Sequence, residues 1–231
     1  YCLITNLPES KDSDFSWKDF QQKNNNELVA ILGNYVNRVF VLCEKFFNKK
    51  VPNISSVEID KQIFSELEII KERIESSIRA YKFREAMTYV MDVARLGNKY
   101  LTDTEPWKIY KDDPERVKDV IYNSIQIVAN ISILCEPFLP FTSNKIKDHL
   151  NISDLSWDDI GSNILKPDHI ISGKAHIFSK IEDQKIEDQI KKLKLNNEND
   201  NVMPQKNIIE FDDFTKVDIR VGTVIEADNV A

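Results

Sequence analysis

Three side chains in this 231-residue chain could read another molecule: Asn34, Arg38 and Trp107. Asn34 and Arg38 stand four apart in NNNELVAILGNYVNRVFVLCEKFFN, residues 24–48. Four residues is about one helical turn, so on a helix both point the same way. An amide presents a donor beside an acceptor, and a guanidinium presents a planar fork of donors. Together they can read a base edge or hold a carboxylate. They are also what an N-cap partner and a solvated charge look like, and the helix by itself favours that plainer account. Asn37 is read as falling on the opposite side. Trp107 follows Pro106 in LTDTEPW, where Thr104 is expected to cap a new helix and Pro106 to fill its first turn. A Trp at such a start, at one end of a bundle, is often partly exposed. A hydrophobic staple accounts for it locally at least as well.

Other chemistries find less support. The five glycines make neither GxGxxG nor a P-loop, so no nucleotide cradle is present. Cys2, Cys43 and Cys135 are widely spaced and form no CxxC pair, which argues against a zinc knuckle or a disulfide framework and for a reduced, cytoplasmic setting. His149, His169 and His176 have no metal or catalytic spacing, and no pair of carboxylates suggests acid–base work. A formal net charge of −7 argues against a protein held to nucleic acid by bulk charge; a binder would have to concentrate its cations locally. No apolar run approaches the ~20 residues needed to span a bilayer, and no membrane partner is expected. The chain opens on Tyr1, with no signal peptide, and is expected to be part of a longer protein.

The elements that must position the three residues are helices. Leu28, Ile31, Leu32, Tyr35, Val39, Leu42, Cys43 and Phe46 form an apolar stripe at steps of three and four, with Asn24, Asn25 or Asn26 as N-cap. A short helix carrying Trp17 and Phe20, capped by Asp14 or Ser16, precedes it. Further helices are expected over 60–79, 83–101, 114–135 and 143–150, with the C-terminal half of 114–135 apolar nearly all round. Short connections make this an all-α, antiparallel helical bundle. Residues 151–180 read as an irregular strap packing back on the bundle, followed by a charged helix at 183–195 and a polar linker at 196–207. From Lys216 to Ile225 the alternation turns to β type, the first strand of a second domain.

DSDFSWKDF, NNNELVAILGNYVNRV, NKYLTDTEPW, EPFLPFTS and VDIRVGTVIEA, in this order, resemble the C-terminal part of bacterial methionyl-tRNA synthetases over essentially the whole chain. The resemblance implies five segments: 1–23, the end of the catalytic and stem-contact region; 24–150, an anticodon-binding bundle; 151–195, a strap and helix; 196–207, a linker; and 208–231, the truncated start of a tRNA-binding OB domain. It implies that Asn34, Arg38 and Trp107 recognise the CAU anticodon of methionine tRNA, the Trp by stacking and the other two by hydrogen bonds to base edge and backbone. The parent would be an ATP-dependent methionine–tRNA ligase using ATP with Mg, with zinc in its catalytic part, and a homodimer through the OB domain. The family's ATP motifs, Cys-rich zinc insert and methionine pocket do not occur in these residues, so this chain is expected to hold no cofactor and to be inactive alone. Two other readings compete: the bundle of another class-I synthetase, against which Asn34, Arg38 and Trp107 with the DxRVG strand argue, and a helical protein–protein scaffold, which the acidic balance would suit.

Overall fold

The computed structural model describes residues 1–9, 12–54, 61–173, 176–199, 210–218 and 221. A single turn, α1 (Cys2–Thr5), is followed by α2 (Trp17–Lys23), whose N-cap Ser16 accepts from the amide of Asp19. No cap forms at the next three asparagines. Asn24 keeps helical angles (φ −61°, ψ −51°), and α2 runs through a π-helical stretch, Asn24–Gly33, into α3 (Asn34–Phe47). The amides of Asn24 and Asn25 are engaged elsewhere. Asn24 Nδ2 donates to Ser179 O at 3.0 Å, Asn25 Nδ2 donates to Ile181 O at 2.9 Å, and Ile181 N donates back to Asn25 Oδ1 at 2.8 Å. The helix ends at Asn48, which takes the left-handed conformation (φ 49°) that Asn tolerates.

Two long helices, α4 (Lys61–Arg79) and α5 (Phe83–Thr104), are joined by a three-residue turn and pack on one another. α5 continues past its expected end at Leu101. Thr104 therefore lies inside it, donating its hydroxyl to Tyr100 O at 2.6 Å, and caps no new helix. Glu105 makes the corner in a left-handed conformation (φ 41°), and Pro106 opens the short α6 (Pro106–Ile109). Asp113 caps α7 (Pro114–Leu134) by accepting from Arg116 N, and α8 (Pro140–Leu150) starts at its proline, three residues before the expected Ser143.

α7 is the central element. Val120, Ile121, Ile125, Val128 and Ile131 are fully buried, and so are two polar residues, Gln126 and Asn130. A buried amide must be paired, and both pair with the backbone of the segment after α8. Gln126 Nε2 donates to Leu165 O at 2.6 Å, Leu165 N donates to Gln126 Oε1 at 3.0 Å, and Gly161 N donates to Asn130 Oδ1 at 2.7 Å. The same segment carries a 3-10 turn (Trp157–Asp159), buries Ile160, Leu165, Ile171 and Ile177, and forms an antiparallel bridge between Ile170 and Lys50. Among the described residues that bridge is the only β pairing; there is no sheet.

Residues Tyr1–Ile190 form one compact unit, and Lys191–Ala231 a second. The charged helix α9 is Asp183–Asn199 and so runs four residues past its expected end at 195, into the segment expected as linker. Within the second unit a single helical turn, α10 (Phe211–Phe214), is present where none was expected. The strand expected from Lys216 to Ile225 lies mostly outside the described residues, and so does most of the linker 196–207; the described Lys216, Val217, Asp218 and Val221 are not in a strand. No described helix is long and apolar enough to cross a membrane.

Candidate nucleic-acid interface

The placing of α3 on α5 begins with a glycine. A Cβ on Gly97 would lie 2.2 Å from Cζ of the Tyr35 ring, so only glycine lets the two backbones approach at this point. Tyr35 is fully buried and donates its hydroxyl to Ser124 O on α7 at 3.2 Å, which ties three helices together. Burial pushes its phenol up, well above the ordinary range, so it stays a neutral donor. One turn on from Tyr35 the next residues of α3 reach the surface.

There Arg38 is held from two sides. Its Nη1 donates to Asn98 Oδ1 at 3.2 Å, and its guanidinium carbon lies 5.3 Å from the centre of the Trp107 ring. Asn98 is itself fixed, because its Nδ2 donates to Ile31 O and to Ala94 O, both at 3.0 Å. A guanidinium so oriented keeps its remaining donors in a defined plane. Trp107 exposes 38% of its surface. α6 presents it there because Tyr110, at the end of that helix, stacks on Phe46 of α3 with ring centres 4.3 Å apart and planes 18° apart. Lys45 lies over Phe46 at 5.3 Å and adds a cation beside this second pair of rings.

Asn37, Arg38, Val41, Leu42 and Trp107 line one groove of about 320 Å³. Asn37 thus shares a face with Arg38, contrary to the expectation from sequence. Three residues on from Asn34 is about 300° of helix, only about 60° from where Asn34 points, so positions 34, 37, 38 and 41 make one face. Asn34 is exposed one turn before Arg38 and is not among the groove-lining residues. Arg38 and Trp107, sixty-nine positions apart in the chain, are in contact. Sequence reasoning missed Asn98, since nothing in α5 marks it, and misplaced Asn37, which the spacing from Asn34 would have found.

The groove offers an aromatic face, a planar cation and an amide, over an apolar floor. That set suits a flat, unstacked ring with polar edges. Cys43 and Cys135 are buried, which pushes both thiols up to about 12, far from the thiolate form at neutral pH. Among the described residues no cluster of His, Cys, Asp and Glu could hold a metal ion.

Comparisons with known proteins agree on one group. The family described as the anticodon binding domain of methionyl tRNA ligase matches residues 51–198, and that described as tRNA synthetases class I (M) matches residues 1–40. The chain is 48% identical to the methionine–tRNA ligase of Flavobacterium psychrophilum over its whole length, covering 35% of that protein. It is also 48% identical to the enzyme of Cytophaga hutchinsonii, covering all of this chain and 34% of that one. It therefore spans about a third of the length of these relatives. In fold it is similar to the crystal structure of the apo form of Mycobacterium tuberculosis methionyl-tRNA synthetase, with a TM-score of 0.72 at 21% identity over 79% of this chain and 38% of that one.

Proposed function

Because the chain belongs to the methionyl-tRNA ligase anticodon-binding family, we propose that its groove binds the CAU anticodon loop of methionine tRNA. The contact between Arg38 and the exposed ring of Trp107 carries this reading. An unpaired base stacks on the indole, Arg38 donates to base edge or phosphate, and Asn34, exposed on the same helix face, donates and accepts at a second position. Specificity then rests on a few side chains, and the net charge of −7 costs affinity through weak bulk attraction to phosphate without forbidding recognition.

The wider assignment rests on the same reading. The helices of residues 24–150 are the antiparallel anticodon-binding bundle, 1–23 the end of the catalytic region, 151–195 its strap and helix, 196–207 a linker, and 208–231 the start of an OB-type tRNA-binding domain. The parent protein is a cytoplasmic methionine–tRNA ligase that uses ATP and dimerises through that OB domain. Among the described residues no group of His, Cys, Asp and Glu fits the parent's metals. The match of residues 51–198 to a methionyl-specific family favours this over another class-I bundle or a scaffold.

The test is binding of the 231-residue chain to a labelled RNA stem-loop carrying CAU, beside loops with one anticodon base changed. Tighter binding to CAU is expected. Equal affinity for all the loops would sink the proposal.

A further inference from the structure

Asn37 lines the groove, yet its carbonyl oxygen, Oδ1, is shut off from solvent and accepts no hydrogen bond. A buried acceptor left unpaired is a standing loss of stability. Groups of this kind call for a partner that arrives from outside or for some other reason to be kept. Its neighbours do not supply the partner. Arg38 spends Nη1 on Asn98, and Asn98 spends its own amide on Arg38 and on two carbonyls. Val41 and Leu42 are apolar. No hydrogen bond locks the Asn37 amide, so a rotation about its last side-chain bond can bring either end to the groove, and the incoming ligand decides which.

We infer that Asn37 is a further base-reading residue of the groove: its amide pairs with the polar edge of the anticodon base that stacks on Trp107. The inference rests on the anticodon reading above and extends it by one specificity-determining side chain. The geometry favours a base over a simple anion. An anion would use the guanidinium alone, whereas the amide needs a ligand with a donor and an acceptor on adjacent atoms, which the Watson–Crick edge of a nucleobase carries. A flat ring is also what the exposed face of Trp107 accepts.

A role in folding and a role in reading pull Asn37→Leu in opposite directions. Leucine keeps the same heavy-atom branching and removes the orphaned acceptor at a groove-facing position, so the variant is expected to melt at the same temperature as the parent chain or higher. Its preference for the CAU stem-loop over a loop changed at one of the three anticodon positions is expected to fall roughly 10-fold, the size of one lost hydrogen bond to a base. The readouts are thermal melting by circular dichroism and fluorescence anisotropy with CAU and three singly changed stem-loops. Asn37→Ala is measured alongside, so that a failure of Leu to pack leaves a second reading. Unchanged preference at all three positions overturns the inference. So does a uniform loss on every loop together with a lower melting temperature, which would mark Asn37 as structural. If the parent chain itself shows no preference for CAU, the anticodon reading fails and this inference with it; if the parent discriminates and the variants do so equally, only the role of Asn37 falls.

Discussion

Replacing Trp107 by alanine separates what the ring does for the fold from what it does for RNA. A Trp side chain can bury ~250 Å², and Trp107 exposes 38% of its surface. About 150 Å² is then covered, equivalent to ~4 kcal/mol at ~25 cal/mol per Å². That is an upper bound, because an unfolded chain already hides part of its apolar surface. Loss of the Arg38 contact at 5.3 Å adds ~0.5–1 kcal/mol at so exposed a site. We expect Trp107→Ala to lose ~2–3 kcal/mol in urea unfolding and to keep its helical circular dichroism. Binding should suffer separately. A base stacked on an aromatic ring contributes ~1–3 kcal/mol, so affinity for the CAU stem-loop should fall about 5- to 150-fold. Stacking tolerates any base, so singly changed loops should weaken by a similar factor, and Trp107→Phe should recover much of the loss. Anisotropy titrations at one fixed salt concentration measure this, since salt alone changes the affinity. A folded Trp107→Ala chain that binds within about twofold of the parent would refute the reasoning. A loss confined to the CAU loop would do so too.

The remaining expectations concern how the groove is held. Asn98→Ala frees Arg38 from its 3.2 Å hydrogen bond, worth ~1.5 kcal/mol for a charged donor; CAU binding should drop about 10-fold in the parent chain and hardly at all when Arg38→Ala is already present, a double-mutant cycle that a merely structural Asn98 would fail. Gly97→Ala drives a methyl into the Tyr35 ring and should cost ~1–3 kcal/mol by overpacking, seen as a lower urea midpoint; an unchanged midpoint would mean that α3 and α5 can separate freely. Cys43 and Cys135 have thiols raised by burial from an ordinary 9 to about 12. Their contribution to stability is whole below pH 9 and declines as pH rises toward 12, because the unfolded chain ionises first; alkylation of both should stay slow until denaturant opens the fold, and rapid labelling of the native chain at about pH 8 would contradict the burial.

The helices were legible because burial imposes a period on the sequence. Leu28, Leu32, Tyr35, Val39 and Cys43 read as one stripe and are buried as one, and the C-terminal half of α7 reads as apolar nearly all round because the helix is buried on every side from Asp119 to Leu134. The joints were harder to read. Asn24 and Asn25 have the composition of a cap, and Thr104 has too, yet the first two bond the chain near residue 180 and Thr104 stays inside α5. A short polar side chain serves a cap, a strap or its own helix with the same atoms, and only the position of the competing partner decides among them. The site divides in the same way. That Asn34, Arg38 and Trp107 were worth attention follows from their chemistry and from the family resemblance. That Arg38 lies against Trp107, is held by Asn98 and shares its groove with an unpaired Asn37 follows from α5 and α6 meeting α3. The contacts of Arg38 with Asn98 and Trp107 join residues sixty or more positions apart. No local period encodes them, because they exist only once Gly97 lets α5 close on Tyr35 and Tyr110 stacks α6 on Phe46.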